Sequence, residues 1–219
     1  MESSPPAPPP RGGGGRPARK EAVKSARREL HRSLVLEAAE RVFAREGYDG
    51  TRMQDVANEA GLALATVYAT IPSKEEIYSA IHERRGRALL ESAAGAATGA
   101  TSAMDALVRG VDAYVGFLAD HPDYLRIHLK ESQPWALDPK FTCAEQRRQW
   151  REGLELTVSV FRAGIAEGSI RDGDPELFAK LMIAAHQVFL AHWVEGGMKE
   201  PQPALVSRMR ELVTRSFAR

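Results

Sequence analysis

One cysteine in 219 residues, Cys143, leaves no internal disulfide and no thiolate cluster for a structural metal. The six histidines, His31, His82, His121, His128, His186 and His192, include no pair spaced i, i+4, the spacing a zinc-binding helix needs. The only glycine cluster, Gly12–Gly15, lies in a terminal tail, so no phosphate loop follows a strand. No base can be paired with Cys143, and a lone cysteine between Thr142 and Ala144 reads as structural or incidental. No catalytic residue, metal or cofactor is therefore expected. No apolar run approaches the ~20 residues that span a bilayer. The first ten residues are rich in proline and serine, and no secretory signal is visible. A cytoplasmic protein without membrane contact is expected.

Charge of one sign is also lacking overall, since the net is +1. Its distribution is uneven. Residues 1–32 hold eight basic side chains against three acidic ones, leaving the remainder at −4. Proline and glycine dominate positions 5–17, so residues 1–24 read as a disordered basic tail. Such an arm can contact DNA phosphates or a minor groove, or it can be a solvated extension.

What the chain has is periodic helix with strong punctuation. Thr51-x-x-Gln54 reads as a capping box before a stripe of Met53, Val56, Ala57 and Ala60. Gly61 stands where a helix would end in a left-handed residue. Leu64, Val67 and Ile71 then recur at helical spacing, leaving Thr66, Tyr68, Ala69 and Thr70 nearer the outside. Pro72 stops this helix, and Ser73-x-x-Glu76 caps the next, which continues through Ile77, Ala80 and Ile81. Two short helices about a glycine turn are a helix-turn-helix, whose second helix enters the DNA major groove.

The stretch resembles the DNA-binding domain of the TetR family of transcriptional regulators over roughly residues 33–80. The carrying residues are the stripe Val35, Ala38, Ala39, Val42 and Phe43, the ending Gly47-Tyr48-Asp49-Gly50-Thr51, and Asp55-Val56-Ala57. Ala60-Gly61, Thr66-Val67-Tyr68 and Ser73-Lys74-Glu75 complete the pattern. There are departures. Ala63 stands where the family usually places a serine or threonine cap, Thr70-Ile71 replaces a histidine-phenylalanine pair, and Ala69 replaces a residue that is often polar or aromatic. Base contacts from this helix are therefore few, or phosphate contacts and DNA shape carry more of the specificity. The candidate DNA-binding residues are Thr51, Gln54, Leu64, Thr66, Tyr68, Ala69 and Lys74.

Downstream, Gly95–Gly99 breaks the long helix and Ser102-x-x-Asp105 starts another. His121-Pro122 ends that one, and a short helix around Tyr124 to Leu129 closes at Pro134. Asp138-Pro139 and Asp174-Pro175 each read as an N-cap followed by proline. The first would open a helix to about Gly168 and the second a helix to Gly196-Gly197, with a last helix from about Pro203. The run Glu145-Gln146-Arg147-Arg148-Gln149 reads as a solvated face. The expected fold is all-α: a tail at 1–24, a helix-turn-helix domain at 25–80, and a larger helical domain at 81–219.

Residues 176–194 are apolar over more than one stripe. The resemblance implies that the last two helices, residues 176–217, pair with a second copy. It also implies a small-molecule effector held within residues 103–195. Candidate ligand-binding residues are Tyr114, Phe117, Tyr124, His128, Trp135, Trp150, Phe161, Met182, His186 and Phe189. The expected function is a homodimeric regulator binding a double-stranded DNA operator, a repressor released by an apolar or amphipathic ligand. A ligand-independent or activating regulator remains open. So does a helical protein-protein module that no longer reads DNA.

Overall fold

The computed structural model describes residues 15–130 and 141–219. Nine helices cover them: α1 (Gly15–Gly50), α2 (Met53–Ala60), α3 (Leu64–Thr70), α4 (Lys74–Ala96), α5 (Ala103–Asp120), α6 (Pro122–Lys130), α7 (Ala144–Glu167), α8 (Pro175–Glu195) and α9 (Gln202–Phe217). The only strand-like pairing among the described residues is an isolated antiparallel bridge between Ile170 and Ala218.

Residues 15–24 are helical, contrary to the disordered tail expected from composition. The reason is local. From Ala18 to Leu30 the chain is mostly alanine, arginine, lysine and glutamate, all good helix formers. Extending an existing helix avoids the nucleation cost. This extension is exposed from Arg19 to Leu30. Residues 1–14 lie outside the described residues.

Within α1 the backbone leaves the helix at Gly47, with φ 75 and ψ 173. The stripe Val35, Ala38, Ala39, Val42 and Phe43 is buried, as its spacing requires. Gly61 is left-handed at φ 65 and ends α2, while Leu62 N–H donates to the Ala57 carbonyl. Ala63 gives α3 no side-chain cap. Ser73 Oγ accepts the Glu76 N–H at 3.1 Å and starts α4. The same device starts α5 at Ser102 and α8 at Asp174.

Two starts differ from expectation. The cap of α2 is Arg52 rather than Thr51: the Arg52 N–H donates to Asp55 Oδ2 at 3.2 Å. Thr51, 2% exposed, sends its hydroxyl back to the Gly47 carbonyl at 2.7 Å. Helix α7 begins at Ala144, with extended Cys143 before it. Pro134 and Asp138-Pro139 lie outside the described residues.

Helices α1 to α3 form one end of the molecule, and the other six pack into a larger helical body. The two are closely joined. Lys130 Nζ at the end of α6 donates to the carbonyls of Ala44 and Arg45 in α1, both at 2.9 Å. Helix α8 overturns the expectation that no apolar run reaches membrane-spanning length: Pro175–Glu195, 21 residues, is long and apolar enough by length and composition. Lys180, His186 and Gln187 interrupt its runs without lowering the whole far enough. Its inner face packs on α6, α7 and α9, as a core helix does.

Candidate DNA-reading face and effector cavity

Helix α3 turns Val67 into the core and leaves Tyr68 46% exposed. Ala65 and Ala69 share the open face. Leu64, expected at the groove, packs partly buried against the core. Thr66 is half-buried, and its carbonyl accepts the Thr70 hydroxyl at 2.7 Å. The open face is therefore one tyrosine among small residues.

The residues expected at phosphates divide. Gln54 is exposed on α2, bonded to Asn58 Oδ1 at 2.9 Å. Thr51 is buried and occupied, so its hydroxyl supports the turn instead of facing DNA. Lys74 Nζ donates to the carbonyls of Tyr48 and Thr51, at 2.7 and 3.1 Å, and lies 4.4 Å from the centre of the Tyr48 ring. It staples the end of α1 to the start of α4. Arg52 was not singled out from the sequence. That side chain is exposed at the start of α2, in no ion pair among the described residues. The signal was available as a cation beside a helix start, but the Thr51 capping pattern masked it.

In the helical body, a cavity of about 180 Å³ lies between α4, α5, α6, α7 and α8. Tyr114, Tyr124, His128, Trp150, Met182 and His186 of the expected ligand-binding set line it. Three others do not. Phe161 is fully buried in an aromatic cluster with Phe178 and Phe217, at 5.7 and 4.9 Å. Phe117 stacks on His121 at 4.3 Å. Phe189 lies under the Arg208 guanidinium, 5.2 Å away. Trp135 lies outside the described residues.

The structure adds lining residues that sequence reading passed over: His82, Gly86, Gln146, Gln149 and Gln187. Gln149 Nε2 donates to the His82 carbonyl, and its side chain occupies the space a Cβ at residue 86 would take. A side chain at 86 would push the Gln149 amide out of this position. Glu145 also turns inward, accepting the Ser79 hydroxyl at 2.8 Å. The charge run at 145–149 is therefore only partly a solvated face. One turn of α7 must seat on α4, and residues 145 and 149 fall on that side.

The cavity holds a cluster of neutral polar rings. Tyr114 Oη and His128 Nε2 are 2.8 Å apart. His82 and His186 are 2% and 4% exposed, and their Nε2 atoms have no hydrogen-bond partner among the described residues. Burial pushes His128 and His186 down to about 4. Burial, then the neighbouring His128, does the same to His82. All three are uncharged near neutral pH. Burial also pushes the Tyr114 and Tyr124 phenols well up. Cys143, buried at the start of α7, has its thiol pushed up by burial, away from nucleophilic character.

Aromatic contacts run from this cavity to the helix-turn-helix. His82 lies 4.6 Å from Tyr78, and Tyr78 lies 4.9 Å from Tyr48. Tyr48 is the residue that Lys74 clamps. One helix, α4, therefore lines the cavity and begins at the reader.

The comparisons agree with this architecture. Residues 35–81 match the family model described as bacterial regulatory proteins, tetR family. The chain is 25% identical over 162 residues to the uncharacterized HTH-type transcriptional regulator YhgD of Bacillus subtilis, covering 74% of this chain and 83% of that one. It is 25% identical over 167 residues to the HTH-type transcriptional repressor NicS of Pseudomonas putida, covering 76% and 78%. The crystal structure of the transcriptional regulator FadR from Bacillus subtilis in complex with stearoyl-CoA superposes with TM-score 0.70 at 19% identity, covering 83% of this chain and 96% of that one. These relatives are transcriptional regulators, not enzymes.

Proposed function

We propose that this chain, a transcriptional regulator of tetR type whose residues 35–81 match that family, is a homodimeric repressor released from its operator by an amphipathic small molecule. The observation that carries the reading is the double role of α4. It lines the cavity from His82 to Ala94 and starts at Lys74, clamped to the helix-turn-helix. A ligand releases DNA only if it favours a conformation that fits DNA less well. Occupancy that displaces α4 moves the reader with it.

In this reading residues 25–80 read DNA and residues 81–219 sense and dimerise. Tyr68 enters the groove, with Gln54 and Arg52 at phosphates. Dimerisation uses α8 and α9. Leu177, Leu181 and Val188 on α8 are 52%, 50% and 67% exposed, an apolar stripe that a second copy would cover. Two-fold symmetry then supplies two half-sites. Selection from random DNA tests the reading: a palindromic or near-palindromic motif supports it, and no enriched sequence contradicts it.

A further inference from the structure

The cavity is graded along its length. Its α4 wall runs from His82 through Gly86, Leu90 and Ala94 to Ala97, about 22 Å of helix at ~1.5 Å per residue. Helix α7 runs alongside in the same direction. Gln149 meets His82 at one end, and Gly153 meets Leu90 farther along. Helix α5 returns antiparallel after a short loop, bringing Tyr114 back toward the histidines.

The hydrogen-bonding groups gather at the end nearer the helix-turn-helix. His82 lies 5.7 Å from Tyr124, Tyr124 lies 6.2 Å from His128, and Tyr114 lies 5.7 Å from His186. The far end is walled by Ala93, Ala97, Leu107 and Val160. Thr157 nearby spends its hydroxyl on the Gly153 carbonyl at 2.8 Å.

Two features define what the polar end can accept. No lysine, arginine, aspartate or glutamate lines the cavity among the described residues. An ionised head group buried there would have no counter-charge, and desolvation without pairing is costly. In addition, the Nε2 atoms of His82 and His186 lack partners. A buried polar atom left unpaired loses hydrogen-bonding free energy that a ligand can restore. A neutral imidazole nitrogen either donates or accepts, and a hydroxyl satisfies both cases.

Building on the cavity as effector site, we propose that the effector is an elongated, uncharged amphipathic molecule. Its hydroxyl-type head pairs within the ring cluster that carries the unpartnered Nε2 atoms of His82 and His186, at one of these two nitrogens, and its hydrocarbon body lies along α4 toward Ala97. The head thus sits nearest the reader, beside the Tyr78 and Tyr48 contacts.

The test compares decan-1-ol, decanoate and decyltrimethylammonium, three probes with one chain length and different heads. Decan-1-ol is titrated below its aqueous solubility limit and the two ions below their micelle concentrations, into the full-length protein at pH 7.5, by calorimetry and tryptophan fluorescence. Decan-1-ol should bind at least about tenfold more tightly than either ion, the least that burying an unpaired charge should cost. H186L or H82L, each checked for retained helicity, should weaken decan-1-ol by roughly five- to tenfold, as expected for loss of one hydrogen bond. Decanoate or the ammonium binding as tightly as the alcohol would overturn the uncharged-head assignment and leave the cavity as effector site. Decan-1-ol binding unaltered in both variants would overturn the head-inward orientation. If no probe binds, the cavity reading itself falls, and this inference with it.

Discussion

Arg85 Nε donates to both carboxylate oxygens of Glu40, each at 3.1 Å, and Glu40 is only 5% exposed. Arg84 Nη2 adds a third contact to the same carboxylate, at 3.1 Å. This ties the first helix of the reader to α4 at the level of the cavity's histidine end. Glu40→Gln removes the charge that holds two guanidiniums. Those are 25% and 35% exposed and can partly rehydrate. The loss should be roughly 1–3 kcal/mol, below that of a fully buried pair. Urea denaturation measures it, and a change within ~0.5 kcal/mol would show that the pair does not hold the junction.

Arg52 and Lys74 should behave differently despite equal charge. Arg52→Ala should weaken operator and random DNA alike and reduce the log–log salt slope by about 1. Lys74→Ala should leave that slope nearly unchanged. Its ammonium is engaged by the Tyr48 and Thr51 carbonyls, so the loss should appear as roughly 1–2 kcal/mol of stability. Tyr68→Ala should weaken the selected operator more than random DNA. Filter binding across a salt series separates the three. Equal loss on both DNAs for Tyr68→Ala would remove Tyr68 from base readout.

Val188→Arg should yield a folded monomer. At 67% exposed within one chain, position 188 accepts arginine without internal damage. In an apolar interface the same charge is buried unpaired. Light scattering at micromolar concentration should report a dimer for the wild type and a monomer for V188R. An unchanged V188R dimer would place the interface elsewhere.

Stability should fall on acidification below about pH 6.5. His82 and His186 are held near 4 by burial in the folded chain against an ordinary 6.5. Between those values the unfolded chain binds protons that the folded chain does not, so stability drops as pH falls and levels off below about 4. Each histidine contributes a slope of up to about 1.4 kcal/mol per pH unit. Denaturation at pH 7 and pH 5 checks this, and H186Q should flatten the dependence by up to one proton.

Local signals were legible in the sequence. Gly61, Gly168 and the Ser73, Ser102 and Asp174 caps lie where their chemistry requires, because capping depends on neighbours within four residues. The cap of α2 was missed by one residue because Thr51-x-x-Gln54 and Arg52-x-x-Asp55 compete for the same turn. The cavity was only half legible. Phe161 and Trp150 both read as apolar helix positions on nearly the same face of α7, and the eleven-residue separation, about three turns, carries one to the cluster with Phe178 and Phe217 and leaves the other at the cavity. His82 carried no local signal, since its role arises from α6 and α7 closing over it, with Tyr124 and Gln149 against it. The α1 extension was misread because proline and glycine earlier in the tail outweighed the helix formers after Ala18.

The most direct test of the account follows cavity and DNA together. A cavity ligand is titrated into the protein–operator complex while tryptophan fluorescence and DNA anisotropy are recorded, with Trp150→Phe assigning the fluorescence change to the cavity. The account predicts that Trp150 responds and operator dissociates over the same concentration range. A cavity saturated with ligand while operator affinity stays constant would contradict it.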